Sequence, residues 1–433
     1  EAAAVDAIVS TIGFPLVGGP AGSMEGARQA ELAKEILEAK DVPYLVAAPL
    51  LIQDVKSWHQ QGVAGLQSVV LYALPELDGA VDAVPLGGLC CGDRAFCGAN
   101  RYLAGCNREA GEIRLVPERL ERLAGRLHKW IELRRKPAAE RKVAIVLYGY
   151  PPGLGATGTA ALLNVPKSLM ALLRRLQREG YDLGPGPLPE DPEALIEAVR
   201  LADSQADSGQ GARDSGYKAG GGGAVTRERL EGWLGPADAA RVSRNWGGGL
   251  DRSGIRTVGS GDRAQLLLGG VQLGNVWIAV QPPLGVPGDP MRLLFERDMT
   301  PHPQYTAFYR SMERSIDDGG IGADAVVHFG MHGTEEWLPG TPLGNTGSCW
   351  PDILTGPLPN IYVYAANNPS ESLLAKRRGY GTLVSHNVPP YSRAGLYKEL
   401  LALRGLLADY YEATGRRAAE DAAPAPADAG GGG

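Results

Sequence analysis

The stretch NIYVYAANNPSESLLAKRRGYGTLVSH, residues 360–386, contains the pattern that decides the fold. Its first part, NIYVYAA, and its last part, TLVSH, are the apolar runs of two strands. Between them, Asn368 is placed as a helix N-cap, Pro369 at the first helical position and Glu371 at the third, which together make a strong helix start. A strand, a helix and a second strand in this order form the βαβ unit of a parallel sheet.

The same pattern occurs twice more. VSTIGFPLV, residues 9–17, precedes a predicted helix and the strand YLVAAPLLI, whereas KVAIVLYGY, residues 142–150, precedes a glycine-rich turn and a helix ending at Gly180. VVLYALPEL, residues 69–77, is predicted as a further buried strand. The sequence therefore predicts an α/β fold of several βαβ units with parallel sheets, divided into more than one domain.

Composition shifts suggest where those domains end. ADSQADSGQGARDSGYKAGGGGA has no apolar periodicity, and AAEDAAPAPADAGGGG at the end is of low complexity, so both are predicted to lack fixed structure. The predicted parts are an α/β region at 1–201 with an insertion at about 90–113, a flexible linker at 202–224, a second α/β region at 225–403, and a helical end with a disordered tail at 404–433.

Four of the five cysteines lie in the predicted insertion: Cys90, Cys91, Cys97 and Cys106. A zinc site is one interpretation, but the stretch contains no C-x2-C pair and no nearby histidine. A surface insertion is the preferred interpretation.

Charge and hydropathy exclude some classes of function. The net charge of −6 argues against nucleic acid as the main partner, because phosphate binding needs a concentrated basic face. The sequence contains no run of 18 or more apolar residues, so it predicts no transmembrane segment. The opening EAAAVDAIVS has no signal or transit pattern, which suggests a piece of a longer protein and leaves the location undetermined.

The richest cluster of chemical groups is VVHFGMHGTEEWLPG, residues 326–340, in a chain with six histidines. We expect a strand that ends near His328, a glycine turn through His332, and a helix that begins after Thr334 and carries Glu336 in its first turn. Imidazoles beside a carboxylate can transfer protons near neutral pH, or ligate a metal in passing. The alternative is that His328 is satisfied by a hydrogen bond and the glutamates are solvated. His302, in TPHPQY, fits a surface loop and a site equally well.

A second glycine-rich stretch raises the question of nucleotide binding. Gly153, Gly155 and Gly158 form a G-x-G-x-x-G pattern between a predicted strand and a predicted helix. Two prolines precede the glycines, so the context fits only in part and nucleotide binding is the less favoured interpretation. The chain has no G-x-x-x-x-G-K-[ST] motif, so we do not expect it to hydrolyse ATP itself.

Long blocks of the chain resemble one known family. ADAVVHFGMHGTEEWLPG, GGVQLGNVWIAVQPPLGVPGDPMRLLFERDMTPHPQYTAFY and TIGFPLVGGPAGSMEGARQ are similar to the CobN/magnesium chelatase family. Within that family the chain looks most like the large, porphyrin-binding H subunit of magnesium chelatase in the chlorophyll pathway of plants and algae. The similarity extends over nearly all of residues 5–403, and it marks the chain as a central fragment of a subunit roughly three times longer.

The resemblance implies a reaction, partners and a location. The reaction is the ATP-dependent insertion of Mg²⁺ into protoporphyrin IX, with ATP hydrolysed by the separate AAA+ subunits I and D. A porphyrin-carrying accessory protein is a further implied partner. The implied location is the chloroplast, in the stroma or associated peripherally with the envelope membrane. The alternatives are a non-catalytic porphyrin-binding or sensor fragment, and a cobaltochelatase-like protein that inserts cobalt into a corrin ring.

The resemblance also assigns roles to residues. Glu336 matches the glutamate of the family's H-G-T-x-E-W-L-P-G pattern, so it is the expected base and transient Mg²⁺ ligand, with His332 and His328 as proton carriers. The residues expected to bind the porphyrin are His302, His386, Arg377 and Arg378. Trp337 and Trp350 are expected to pack in the core rather than stack on the ring. Glu335 departs from the pattern, since the family usually has an apolar residue there.

Overall fold

The computed structural model describes most of the chain. The described ranges are 5–12, 26–100, 110–149, 163–204, 218–219, 223–247, 255–259, 261–285, 298–330, 333–364, 369–385 and 399–413. The chain forms two compact units, Glu1–Asn387 and Val388–Gly433.

Fourteen strands occur in the described ranges. They are β1 (Ile8–Ser10), β2 (Tyr44–Asp54), β3 (Asp82–Leu89), β4 (Ile113–Leu115), β5 (Val143–Leu147), β6 (Lys218–Ala219), β7 (Ala224–Val225), β8 (Thr257–Val258), β9 (Gln265–Leu267), β10 (Val271–Leu273), β11 (Val276–Val280), β12 (Ala325–Phe329), β13 (Asn360–Val363) and β14 (Gly381–Val384).

Fourteen α-helices occur in the same ranges. They are α1 (Gly26–Lys40), α2 (Val55–Gln61), α3 (Leu66–Ser68), α4 (Leu74–Leu77), α5 (Arg94–Ala99), α6 (Pro117–Arg135), α7 (Val165–Arg178), α8 (Pro192–Ser204), α9 (Arg227–Leu234), α10 (Pro236–Trp246), α11 (Pro303–Glu313), α12 (Trp350–Thr355), α13 (Pro369–Arg377) and α14 (Glu399–Ala413). Helix α14 belongs to the smaller unit, and none of the described helices is long and apolar enough to cross a membrane.

The main sheet of the larger unit has seven strands in the order β14–β13–β12–β5–β11–β10–β6. The five strands from β14 to β11 are parallel, and β10 pairs antiparallel with both of its neighbours. The central strand β5 has the sequence VAIVL, and all five of its residues are buried. A continuous apolar run of this kind is expected for a parallel strand that is covered on both faces.

Helices cover the two faces of this sheet. Val143, Ile145 and Leu147 of β5 pack with α7 and α8 on one face. Ala144 and Val146 pack on the other face, in a core that includes residues of α9, α10, α11 and α12. Because side chains alternate along a strand, β5 contributes to both cores. The predicted α/β class with parallel βαβ units is confirmed.

Two smaller sheets complete the larger unit. Strands β1, β2 and β3 are parallel, and β4 pairs antiparallel with β3. Strands β7, β9 and β8 form a short antiparallel sheet.

Two arginines of α6 connect β3 with the chain around α12. Arg126 donates to Asp82 of β3 through Nε (2.9 Å) and to the backbone carbonyl of Gly356 (2.9 Å). Arg119 donates to both oxygens of Asp352, at 2.9 Å and 2.8 Å. All four charged side chains are fully buried. Buried charges of this kind require pairing, so α6 is held in one position between the two sheets.

The predicted domain boundary at 202–224 differs from the structure. Strand β5 precedes this range, yet it pairs with β11 and β12, which follow it. The regions predicted as 1–201 and 225–403 therefore share one sheet, and neither can complete it alone. Residues 205–217 and 220–222 of the predicted linker lie outside the described residues, as do the cysteine at position 106 and the tail from 414 onward.

The prediction of a strand at 69–77 is wrong. Residues Val69–Ala73 form a π-helical turn that continues into α4. Leu71 and Tyr72 are buried, whereas Val69 and Leu77 are 44% and 82% exposed. The segment therefore carries apolar residues on its exposed side as well as on its buried side. A short apolar run of this kind has the composition of a buried strand, which explains the wrong prediction.

The cysteine-rich stretch is not wholly a surface insertion. Cys90 and Cys97 are buried in the core of the smaller parallel sheet, in the same cluster as Trp58. The sulfur atoms of Cys91 and Cys97 lie 3.4 Å apart. These cysteines therefore belong to the packing of that sheet.

The buried ion pair of α6 generates a stability prediction. Asp82→Ala leaves the Arg126 guanidinium buried without its carboxylate, so we expect the free energy of unfolding to fall by about 3–5 kcal/mol. Denaturant unfolding of the 433-residue chain measures this change. Asp6→Ala is the control, because the Arg135–Asp6 pair is 67% and 50% exposed and should contribute about 0–1 kcal/mol. Equal losses in the two variants would contradict the prediction.

Candidate functional site

A cluster of polar side chains lies where the central strands of the main sheet end. Tyr148 follows β5, Gln281 follows β11, Gly330 follows β12 and Tyr364 follows β13. These four strands are parallel, so their carboxyl ends meet at one edge of the sheet.

This edge includes a topological switch point. The connection after β5 passes through α7 and α8 on one face toward β11, whereas the connection after β12 passes through α12 on the opposite face toward β13. The chain thus leaves two neighbouring strands in opposite directions, between β5 and β12. In open α/β sheets, ligands bind at the carboxyl ends of the strands at such a point.

The predicted strand end near His328 and the helical turn after Thr334 are confirmed, although this turn is a short 3₁₀ turn, whereas His332 of the predicted glycine turn lies outside the described residues. Strand β12 ends at Phe329, and Glu335–Trp337 form a single 3₁₀ turn with Thr334 as its N-cap. The two glycines between strand and turn allow close packing against tyrosines. A Cβ on Gly330 would lie 2.8 Å from the ring of Tyr148, and one on Gly333 would lie 2.7 Å from the Tyr148 hydroxyl. Gly330 also has a φ of +145°, which side chains rarely tolerate.

Glu336 is buried, with 2% of its surface exposed. The Tyr362 hydroxyl donates to its Oε1 at 2.8 Å, and the Gly333 N–H donates in turn to the Tyr362 hydroxyl at 2.9 Å. Burial raises the pKa of Glu336 to about 7, although the Tyr362 hydroxyl and the Arg378 charge lower it. Glu336 therefore exchanges a proton near neutral pH.

Glu335 is the second buried carboxyl group, with 1% of its surface exposed. Its Oε1 accepts from the Thr355 hydroxyl at 2.7 Å, and its Oε2 has no hydrogen-bond partner among the described residues. Burial raises the pKa of Glu335 well above its ordinary value, and the neighbouring Glu336 raises it further. The alternative of solvated glutamates is wrong for both, since each carboxyl lies inside the protein.

His328 lies in the same cluster but differs from its predicted role. Its ring stacks on that of Tyr362 at 5.1 Å, so both His328 and Glu336 contact one tyrosine. The Nδ1 atom lies 2.7 Å from Asn360 Oδ1, and Nε2 lies 3.0 Å from the Tyr309 hydroxyl. Burial lowers the pKa of His328 to about 4. With both nitrogens occupied and the ring neutral, His328 is suited to positioning rather than to carrying protons.

The two arginines that were predicted to bind the porphyrin make contacts within the protein. Arg378 is 7% exposed and donates to three backbone carbonyls, those of Glu336, Leu338 and Thr341. Arg377 donates to Glu76 at 2.8 Å. Arg378 therefore fixes the backbone that follows the glutamate turn, which corrects its predicted role as a porphyrin contact.

His302 caps a helix. Its Nδ1 accepts from the Tyr305 N–H at 3.2 Å, which leaves Nε2 to donate to the Pro283 carbonyl at 2.7 Å. Burial lowers the pKa of His302 to about 4. Both nitrogens serve the start of α11, so the structure does not support the predicted contact with substrate. Trp350 is fully buried, in agreement with core packing.

Three of the predicted site features lie outside the described residues. They are His332, His386 and the glycine-rich loop at 153–158. Among the residues that are described, no group of three histidine, cysteine, aspartate or glutamate side chains converges to hold a metal ion.

Sequence reasoning missed most of the residues that surround the carboxyl groups. They are Tyr148, Gln281, Tyr305, Tyr309, Asn360 and Tyr362. Only Tyr148 had a usable signal, because it lies in the apolar run at 142–150 that precedes the glycine-rich turn. Gln281 follows β11, and the other four lie inside a helix or a strand, where a tyrosine or an asparagine carries no mark of its neighbours.

Comparisons with known proteins agree with the resemblance in the sequence. The family profile described as CobN/Magnesium Chelatase matches residues 1–425. The magnesium-chelatase H subunit of Chlorobaculum parvum is 46% identical over 409 residues, covering 94% of this chain and 29% of that protein. The chloroplastic magnesium-chelatase subunit ChlH of Oryza sativa subsp. indica is 38% identical over 411 residues, covering 94% and 26%. The bacterial H subunit thus shares more identical residues with the chain than the rice subunit does. This order differs from the prediction that the chain looks most like the subunit of plants and algae.

A solved structure shows the same fold. The catalytic subunit of cobaltochelatase from Mycobacterium tuberculosis superimposes with a TM-score of 0.70 at 29% identity, covering 95% of this chain and 32% of that one. The chain therefore spans 26% to 32% of the length of these three proteins.

The burial of Glu336 generates a prediction for stability against pH. The unfolded side chain loses its proton near pH 4.5, whereas the folded one holds it to about 7. The folded protein thus binds more protons between these values, so the free energy of unfolding falls as pH rises through this range, by about 3 kcal/mol in total. Glu336→Gln should remove this part of the slope, as measured by denaturant unfolding from pH 4.5 to 7.

The control is Glu197→Gln on α8. Glu197 is exposed, and its hydrogen bond with Arg200 lowers its pKa from the ordinary value, so it does not contribute a fall in stability as pH rises. The slope should persist in this variant. A slope that persists unchanged in Glu336→Gln as well would show that Glu336 does not titrate as described.

Proposed function

The chain belongs to the CobN/magnesium chelatase family, and from this premise we propose that it is a segment of a chelatase large subunit that inserts Mg²⁺ into protoporphyrin IX. The observation that carries the proposal is a buried carboxyl group, Glu336, whose pKa is about 7 at the carboxyl edge of a parallel sheet. The names of the relatives support chelatase chemistry and a complex of several subunits.

Proton removal is the first requirement of the reaction. A porphyrin must lose two pyrrole N–H protons before its nitrogens can bind a metal ion. A general base acts best when its pKa lies near the working pH, and Glu336 satisfies this condition. The Tyr362 hydroxyl stabilises the ionised form by donating to Oε1, so about half of the Glu336 population is ready to accept a proton near pH 7.

Delivery of the metal is the second requirement. Mg²⁺ prefers oxygen ligands and gives up its water slowly, so a carboxylate that replaces one water assists the transfer. Glu336 is the proposed transient ligand. Because the ion passes through the site as a substrate, one or two protein oxygens suffice.

The remaining roles are proposed from the resemblance. His332 is the proposed carrier of protons away from Glu336, and His386 and Arg377 are proposed contacts of the porphyrin. ATP hydrolysis is assigned to AAA+ partner subunits, as the resemblance implies, and the given sequence contains no P-loop motif of its own. The proposed accessory partner is a porphyrin-carrying protein. The proposed location is the chloroplast. Of the two magnesium-chelatase relatives compared above, only the chloroplastic rice subunit supports this location.

Two alternatives are tested against this proposal. The superposition with a cobaltochelatase subunit favours cobalt insertion into a corrin ring. The second alternative is a segment that binds porphyrin without turnover. An assay that offers Co²⁺ with a metal-free corrin beside Mg²⁺ with protoporphyrin IX distinguishes the first. Porphyrin quenching of tryptophan fluorescence without any product distinguishes the second.

The proposed base is tested by Glu336→Gln. In a mixture of the chain with AAA+ subunits, ATP, Mg²⁺ and protoporphyrin IX, we expect fluorescent Mg-protoporphyrin from the unchanged chain. We expect a rate about 10²-fold to 10⁴-fold lower from the variant, because the amide cannot accept a proton. Porphyrin binding, followed by quenching, should be retained. Glu371→Gln is the control, since it changes a neighbouring carboxyl group that accepts from Tyr364 instead of Tyr362. Full activity in Glu336→Gln would exclude the proposed role.

The hydrogen bond from Tyr362 is tested by the pH dependence of the rate. Activity requires ionised Glu336, so it should rise with pH through about 7. Tyr362→Phe removes a donor that stabilises the ionised form, so the midpoint of this rise should move to higher pH. Tyr364→Phe is the matched control, because the Tyr364 hydroxyl donates to Glu371 instead. A midpoint that stays in place in Tyr362→Phe would show that this bond does not set the pKa.

A further inference from the structure

Gln281 lies at the centre of a buried hydrogen-bond network that reaches the glutamate turn. It directly follows β11 and is 7% exposed. Its Oε1 accepts from the Thr334 N–H at 3.1 Å and from the Thr334 hydroxyl at 2.9 Å. Its Nε2 donates to the Tyr309 hydroxyl. One side-chain amide thus connects the N-cap of the glutamate turn to α11.

The neighbours of Gln281 fix the direction of every bond in this network. The Asn360 side-chain amide donates to the Gly379 carbonyl at 2.7 Å, so its oxygen must accept from His328 Nδ1–H. The neutral His328 ring then accepts at Nε2 from the Tyr309 hydroxyl. Tyr309 has used its one proton, so it can only accept from Gln281. A flipped amide would place an acceptor against Tyr309 and a donor against the hydrogens of Thr334.

The Thr334 side chain does not cap the glutamate turn as an N-cap side chain usually does. It occupies the N-cap of the 3₁₀ turn, but its side chain makes no capping hydrogen bond. Its hydroxyl instead donates to Gln281 and, having used its proton, accepts from the Tyr305 hydroxyl at 2.8 Å. The start of the turn that carries Glu336 is therefore held from β11 and α11 and not by a cap of its own.

We propose that Gln281 is a positioning residue for Glu336, which it holds through Thr334 in the orientation needed to take a proton from the porphyrin. The inference rests on the proposed function for the reaction, but the geometry that it describes is independent of the substrate. Placement of a reacting group matters steeply, since a displacement of about 1 Å can cost on the order of 10²-fold in rate.

The test compares Gln281→Met with Gln304→Met in the chelatase assay. Both variants replace a buried glutamine by an apolar side chain of similar size, and Gln304 also bonds to the backbone, at the Leu267 carbonyl and the Arg256 N–H. We expect Gln281→Met to lower kcat about tenfold or more with KM for the porphyrin little changed, and Gln304→Met to leave kcat intact. Equal effects of the two variants, or full kcat in Gln281→Met, would overturn the proposal.

A second pair of variants covers the case in which Gln281→Met does not fold. Thr334→Val removes the hydroxyl and keeps the shape of the side chain, whereas Thr334→Ser keeps the hydroxyl. We expect Thr334→Val to lower kcat with KM unchanged, and Thr334→Ser to restore it. Loss of kcat in both, or in neither, would contradict the assigned path from Gln281 to the turn.

A readout without turnover separates this inference from the proposed function. If the unchanged chain makes no product, the proposed function fails, but the slope of stability against pH between 4.5 and 7 still reports on Glu336. A released turn exposes Glu336 to water and lowers its pKa, so this slope should shrink in Gln281→Met and persist in Gln304→Met. A slope that persists in both variants would overturn the inference on its own.

Discussion

The burial of two adjacent carboxyl groups is the constraint on which the site depends. Glu335 and Glu336 are 1% and 2% exposed, at a sheet edge where four parallel strands end. A buried carboxyl group is costly unless it is neutral or receives hydrogen bonds. The structure uses both solutions: burial raises the pKa of Glu335 well above its ordinary value, which favours its neutral form, whereas the ionised form of Glu336 has a donor in Tyr362. The tyrosines and glycines pack closely around the glutamate turn, and Arg378 donates to its backbone. All of these contacts keep the two carboxyl groups buried.

Much of the fold could be predicted, because it depends on patterns that are local in the chain. The apolar run of β5 and the helix start at Pro369 both lie where the sequence indicates. The domain division was not predictable in this way. Strand β5 finds its two partners more than a hundred residues further along the chain, at β11 and β12, and a gap in apolar periodicity between them gives no information about pairing. A stretch without apolar periodicity therefore does not mark the border of a sheet.

The site was predictable only in part, for a related reason. The motif around Glu336 is contiguous, so its strand end and glutamate turn could be inferred. The groups that set the properties of the carboxyl come from other strands and helices: Tyr362 from β13, Tyr309 from α11 and Gln281 from the end of β11. None of these residues stands out in its own segment. The role of Arg378 was misjudged because a charge run at a helix end resembles an exposed binding surface, whereas this side chain points inward to three backbone carbonyls.

Desolvation explains why the acid and not the imidazole is suited to proton transfer here. Burial disfavours the charged form of any group, so it lowers the pKa of a histidine and raises that of a glutamate. In isolation, histidine is the better base near neutral pH and glutamate the weaker one. Inside this cluster the order is reversed, since the pKa of His328 is about 4 and that of Glu336 is about 7. The neutral His328 ring then becomes a fixed donor and acceptor within the network, and Glu336 is left as the group that changes its charge.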